Sequence, residues 1–136
     1  MSNVHTIRLR GPWEYEPLSR GGLGDLPASG RAQMPCDWSS ILGVDFRGRV
    51  YFRRRFNRPG QLDPHEQVWL VIEHQAELLG IRLNDQPLNC LVDNAQQVAC
   101  EITGQLASHN ELRIELSRDT AESANWLSEV RLEIRS

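Results

Sequence analysis

Two aspartates, Asp37 in "MPCDW" and Asp93 in "LVDN", could form the carboxylate pair that general acid–base chemistry requires. Hydrolysis of a glycosidic bond would depend on the distance between them, which the order of residues does not supply. Ser39 and Ser40 lack the G-x-S-x-G elbow of a serine nucleophile. His5, His65, His74 and His109 have no metal-ligand spacing and read as surface or loop residues, so no metal is expected. Cys36, Cys90 and Cys100 are an odd number without a C-x-x-C pair, which argues against a disulfide framework and against zinc. Cys90 and Cys100 flank what reads as a loop and could face one another across a hairpin. Free, buried thiols are the default in a reducing compartment. Gly21-Gly22-Leu23-Gly24 lacks the preceding strand, following helix and lysine of a phosphate cradle. No constellation here carries catalysis, and no cofactor is implied.

The elements that would position these groups follow from pattern. A chain of 136 residues is expected to form one domain, residues 1–136, with a core large enough to stand without staples. Period-two alternation dominates. Val4–Leu9, Tyr51–Phe56, Val68–Glu73, Leu78–Leu83, Val98–Ile102, Leu112–Leu116 and Val130–Ile134 each read as a short strand. In "LRIEL", Leu112, Ile114 and Leu116 face inward while Arg113 and Glu115 face out. Turn signals such as "NDQP", "HNE" and "LSRGGLGDLPASG" separate the strands, and only "ITGQLASH" could hold a helical turn. Many short strands at even spacing predict an all-β antiparallel sandwich or barrel. Asn84-Asp85 suits a tight reversal, Trp13 and Tyr15 read as inward anchors, and Asn110 can cap a turn through its amide.

Charge excludes some partners. The stretch "FRGRVYFRRRFNRPG" packs six arginines into fifteen positions, yet acidic residues outnumber basic ones 18 to 15 and the net charge is −3. In "VYFRRRF" the alternation puts Phe52, Arg54 and Phe56 on one face, and Tyr51, Arg53 and Arg55 on the other. A nucleic-acid surface would expose arginines and aromatics together. Here the phenylalanines point into the core and draw Arg54 with them, to be held by a carboxylate or by strand-end carbonyls. No nucleic-acid binding is expected. No run approaches the roughly 18 apolar residues of a membrane span, and the start lacks a signal-peptide pattern, so the expected compartment is the cytoplasm.

The same stretch carries a resemblance. "YFRRRF" resembles the W-Y-R-R-x-F strand of the sugar-binding, galactose-binding-like jelly-roll domain of family-2 glycoside hydrolases, the β-galactosidase and β-glucuronidase group. "LRGPWEY" and "MPCDW" are similar to that domain's L-x-G-x-W-x-F and V-P-G-x-W segments. "VWLVIEHQAELLGIRLNDQPL" matches its strand pair and L-N-G turn at Leu83-Asn84-Asp85, and "ITGQLASHNELRIEL" matches its D-I-T … N-x-L-x-V segment at Asn110, Leu112 and Ile114. The resemblance covers nearly the whole chain and implies a jelly-roll sandwich. Two departures stand out: "CLVDNAQQVACEI" has no glycine pair or aromatic where the family carries a G-G-Y-x-P-F-like loop, and Cys36 stands where glycine is common. The family's catalytic carboxylates lie in a separate barrel that 136 residues cannot include. Only a binding role carries over.

The resemblance therefore implies a non-catalytic carbohydrate-binding module. Sugar sites pair aromatic faces with planar polar groups on loops over a rigid scaffold. The candidates are Asp37 and Trp38 in one loop, His74 and Gln75 in a second, Asp93 and Asn94 in a third, and Trp126 after the polar run "SRDTAESAN". Trp38 has a competing role as a plug closing the sandwich end, and Trp126 is the better candidate for an exposed aromatic. The alternative is an interaction module that has lost sugar binding and forms a homodimer or docks to another protein chain through strand edges.

Overall fold

The computed structural model describes residues 4–22, 24–119 and 125–136. Strands β1 (Val4–Arg8), β2 (Trp13–Arg20) and β3 (Gly30–Ala32) lead into a short helix α1 (Trp38–Leu42). There follow β4 (Gly48–Asn57), β5 (Gln67–His74), β6 (Glu77–Leu83), β7 (Gln86–Pro87), β8 (Leu91–Asn94) and β9 (Gln97–Glu101), then β10 (His109–Arg118) and β11 (Leu127–Arg135). A single 3-10 turn, Thr103–Gln105, occupies the one place where a helical turn was expected. Sheet A runs β1-β11-β5-β9-β8 and sheet B runs β3-β2-β4-β10-β6-β7, with every pairing antiparallel. The chain passes between the sheets at β1–β2, β4–β5, β5–β6, β7–β8, β9–β10 and β10–β11, giving the expected all-β sandwich. Among the described residues no helix is long and apolar enough to cross a membrane.

Alternation builds the core. Val50, Phe52 and Phe56 of β4 and Leu112, Ile114 and Leu116 of β10 face Val68, Leu70 and Ile72 of β5 and Val130, Leu132 and Ile134 of β11 in one continuous apolar cluster. Full burial of each such side chain contributes about 1.5–3 kcal/mol. Trp13 is fully buried, and its indole donates to the Leu9 carbonyl at 2.7 Å. Asn84 and Asp85 take the left-handed backbone that their turn needs, with φ of 53° and 65°. Asn110 is buried, and its amide spans the preceding loop, accepting from Ala107 N at 2.9 Å and donating to Ala107 O at 2.9 Å. Gly48 starts β4 where the chain presses on β2. A Cβ there would collide with the Ser19 carbonyl, so the glycine in "FRGRV" is a packing requirement.

Two expectations are refined. Arg54 does share the inward face of β4, but it is half-buried and held by the carbonyls of Arg55 and Gly11 (the latter at 3.4 Å), not by a carboxylate. Cys90 and Cys100 are joined in a disulfide across the β8–β9 hairpin, which overturns the default of free thiols; Cys36 alone is free. Antiparallel pairing of Leu91 with Ala99 brings the two cysteines opposite each other, a consequence of register that spacing alone leaves open.

Candidate binding clefts

Asp37 and Trp38 are committed to structure. Asp37 caps α1, its carboxylate accepting from Ser39 N at 3.1 Å and from the Ser40 hydroxyl at 2.7 Å. The Ser40 hydrogen bond holds its pKa below the ordinary value. Trp38 is fully buried and packs edge-on against Phe52 and Tyr15 at centroid distances of 4.9 and 5.5 Å. It is the plug of the sandwich end and has no face left for a ligand.

Trp126 is the clearest correction. It was the better candidate for an exposed aromatic, and it is fully buried, stacked on Phe46 at 5.6 Å with the Arg118 guanidinium 4.8 Å above its ring. The polar run before it, of which Thr120–Ala124 lie outside the described residues, suggested a solvated loop. The main chain decides otherwise: the Trp126 carbonyl accepts from Gln75 N and Ala76 N at 3.0 and 3.3 Å, tying the residue to the end of β5. Leu23 of the glycine-rich run also lies outside the described residues.

The other candidates fall into one partial cluster. His74, Gln75 and Asn94 line a shallow cleft of about 390 Å³ with Glu73, Gln97 and Glu129, and neither aspartate contributes to it. His74 is buried and its Nδ1 donates to the Ala76 carbonyl at 2.7 Å. Asp93 lies on the exposed edge strand β8 and accepts from Gln97 Nε2 at 3.0 Å. Among the described residues no Trp, Tyr or Phe lines this cleft and the His74 ring is buried, so it offers hydrogen bonds without a stacking platform. Asp37 and Asp93 belong to different elements and share no described cleft.

A better-equipped cleft lies on the outer face of sheet B. Strand register places Arg31, Glu14, Arg53 and Arg113 in one row across β3, β2, β4 and β10, and Glu16, Tyr51 and Glu115 in the next. Glu14, Glu16, Tyr15, Tyr51, Arg53 and Arg113 line an open volume of about 490 Å³. Arg53 Nη2 pairs with Glu14, and Arg31 approaches the same carboxylate at 3.8 Å. The Arg53 hydrogen bond depresses the Glu14 pKa and in turn raises that of Arg53, so both stay charged. The arrangement sets a half-exposed phenol ring beside fixed planar donors and acceptors. The alternation in "VYFRRRF" had already put Tyr51, Arg53 and Arg55 together on this face; their partners on β2 and β10 had no local signal. Among the described residues no group of three or more His, Cys, Asp or Glu could hold a metal ion.

No family model matches the sequence, and neither does any curated protein. Solved structures do match. An FMN-binding β-glucuronidase from Facaelibacterium prausnitzii L2-6 is similar at 20% identity and a TM-score of 0.69, covering 96% of this chain and 22% of its own. A Bifidobacterium dentium β-glucuronidase complexed with coumarin-3-O-glucuronide aligns at 14% identity and a TM-score of 0.72, over 96% of this chain and 30% of its own. The Ruminococcus gnavus β-glucuronidase gives 13%, 0.73, 96% and 28%. The likeness is one of fold, and this chain spans less than a third of each of these proteins. The fold expected from the resemblance to the family-2 domain is the fold found.

Proposed function

We propose that this chain is a non-catalytic carbohydrate-binding module that uses the outer-face cleft of sheet B. The observation that carries the reading is the half-exposed ring of Tyr51, one row from the Glu14–Arg53 pair and flanked in register by Glu16 and Glu115. A sugar ring presents an apolar C–H face to an aromatic and hydroxyls to planar charged groups, and that combination exists in this cleft. The shared fold with a segment of β-glucuronidases supports the same direction. Glu14 does not suit the general acid of a glycosidase, which needs a raised pKa, because the Arg53 hydrogen bond shifts it the other way. A glycan array tests the reading. Binding that is lost in Tyr51→Ala, with an unchanged melt, is the expected result. A blank array, or binding indifferent to Tyr51, overturns it.

A second reading has its own support. Edge strand β8 exposes Leu91 at 64% and Val92 at 73%, beside a row of unpaired main-chain groups. That surface suits a protein-interaction or self-association module that has lost sugar binding. Light scattering discriminates: a dimer abolished by Val92→Asp, together with a blank array, favours this second reading.

A further inference from the structure

A different cleft lies at one end of the sandwich, between β1 and β11 on one side and β4 and β10 on the other. It encloses about 890 Å³, with Ile7, Leu9, Phe56 and Leu132 as its apolar lining. Its charge is unbalanced. Arg8, Arg54 and Arg55 line it against a single carboxylate, Glu111. That carboxylate is already shared, accepting from Arg113 at 2.7 Å with Arg55 at 3.6 Å. Arg8 is engaged by Glu129 at 2.8 Å. Among the described residues no anion pairs with Arg54. Its hydrogen bonds go to the Arg55 and Gly11 carbonyls, and its Nε is buried with no partner. A half-buried guanidinium is normally matched by a carboxylate, because desolvation is costly and its planar fork fits that group.

We propose that this end cleft binds a small organic acid, its carboxylate on Arg54 and its apolar body against Phe56 and Leu132. Nothing on β1, β4, β10 or β11 among the described residues supplies that charge, which leaves it for a bound anion to supply. One uncommitted guanidinium balances one negative charge, and the apolar lining favours an organic carboxylate over inorganic phosphate. Burial lowers the Arg54 pKa with no counterion to offset it, which is the electrostatic deficit a bound anion would relieve. The site is separate from the outer-face cleft and does not depend on sugar binding.

Benzoate is the probe, with its neutral isostere benzamide and inorganic phosphate as comparisons. In amide NMR of the full chain, benzoate is expected to give saturable shifts at Gly11, Arg54 and Phe56, with half-saturation in the millimolar range. Benzamide and phosphate should bind at least tenfold more weakly. Arg54→Gln should abolish saturation, and Arg49→Gln, on the outer face, should leave it intact. Shifts that never saturate, or equal binding of benzoate and benzamide, overturn the proposal on the unmodified protein, whether or not Arg54→Gln folds. Saturation by phosphate equal to that by benzoate also overturns it, since the site would then be selecting charge alone.

Discussion

Replacing each of the three consecutive arginines of β4 tests the assignment of faces. Arg54 sits on the core face beside Phe52 and Phe56, without a carboxylate partner among the described residues. Arg54→Met keeps an apolar stem of similar length and removes a cation whose lost hydration no anion repays. Breaking a buried ion pair costs about 3–5 kcal/mol because a charge is stranded, but replacing an ion by a matched apolar group is often neutral or better. Arg54→Met should therefore lie within about 1 kcal/mol of the parent. Arg54→Ala also deletes the buried part of the stem, and at about 0.8 kcal/mol per methylene the loss should reach about 1–2 kcal/mol. Arg53→Ala breaks the pair with Glu14, whose side chains are 38% and 35% exposed. Screening limits that loss to about 0.5–1 kcal/mol. Arg55 is 77% exposed and 3.6 Å from Glu111, so Arg55→Ala should stay within about 0.5 kcal/mol. Urea melts with matched m-values give the order. A loss of 3 kcal/mol or more in Arg54→Met would mean that Arg54 holds a carboxylate after all. A larger loss at Arg53 than in Arg54→Ala would put the other face of β4 in the core.

Other outcomes follow from single contacts. Trp126→Ala empties a fully buried site stacked on Phe46 and should cost about 3–5 kcal/mol in a denaturant melt; a stable variant with lost glycan binding would contradict the burial. The Cys90–Cys100 bond closes a loop with a sequence separation of 10, so Cys100→Ser should lower stability by about 2–3 kcal/mol; an unchanged melt and three titratable thiols in the parent would refute the pairing. Glu14 is held by Arg53 below its ordinary value of 4.5. Its stabilising contribution is present above that value and lost as pH falls through the depressed one. The melt difference between the parent and Arg53→Gln should shrink as pH drops below about 4.5, and a growing difference would reverse the sign. Finally, the chain should pass through a DNA column at physiological salt; retention released by rising salt would restore a polyanion surface to the arginine stretch.

Much of the molecule was legible locally. Period-two alternation determined β1, β4, β5, β6, β9, β10 and β11 and their inward residues, including the shared face of Phe52, Arg54 and Phe56 and the opposite face of Tyr51 and Arg53. Side-chain direction in a strand depends only on parity, so it survives without knowledge of neighbours. The turn at Asn84-Asp85 and the amide cap of Asn110 were equally local, since backbone preference and short-range hydrogen bonds decide them. β3, β7 and β8 escaped because two to four residues carry too little pattern, and their strand state comes from the partner they pair with. β2 was also missed as a strand: only Trp13 and Tyr15 were read as inward anchors, and residues 18–20 were placed in the glycine-rich loop. α1 is a single turn placed by the Asp37 cap and by Trp38 burial.

What only the tertiary structure decided was which distant residues share a surface. Glu14, Arg53 and Arg113 meet because β2, β4 and β10 pair in one register, and a slip of one residue would send each to the opposite face. Trp126 looked exposed because its sequence neighbours are polar. It is buried because its carbonyl and ring are both claimed by segments far along the chain, β5 and Phe46. Arg54 was expected inside on parity alone; that it would arrive there with carbonyls and no carboxylate depended on where the β1–β2 loop placed Gly11. Composition and periodicity set what each residue can do, while the long-range pairing of strands sets which residues act together.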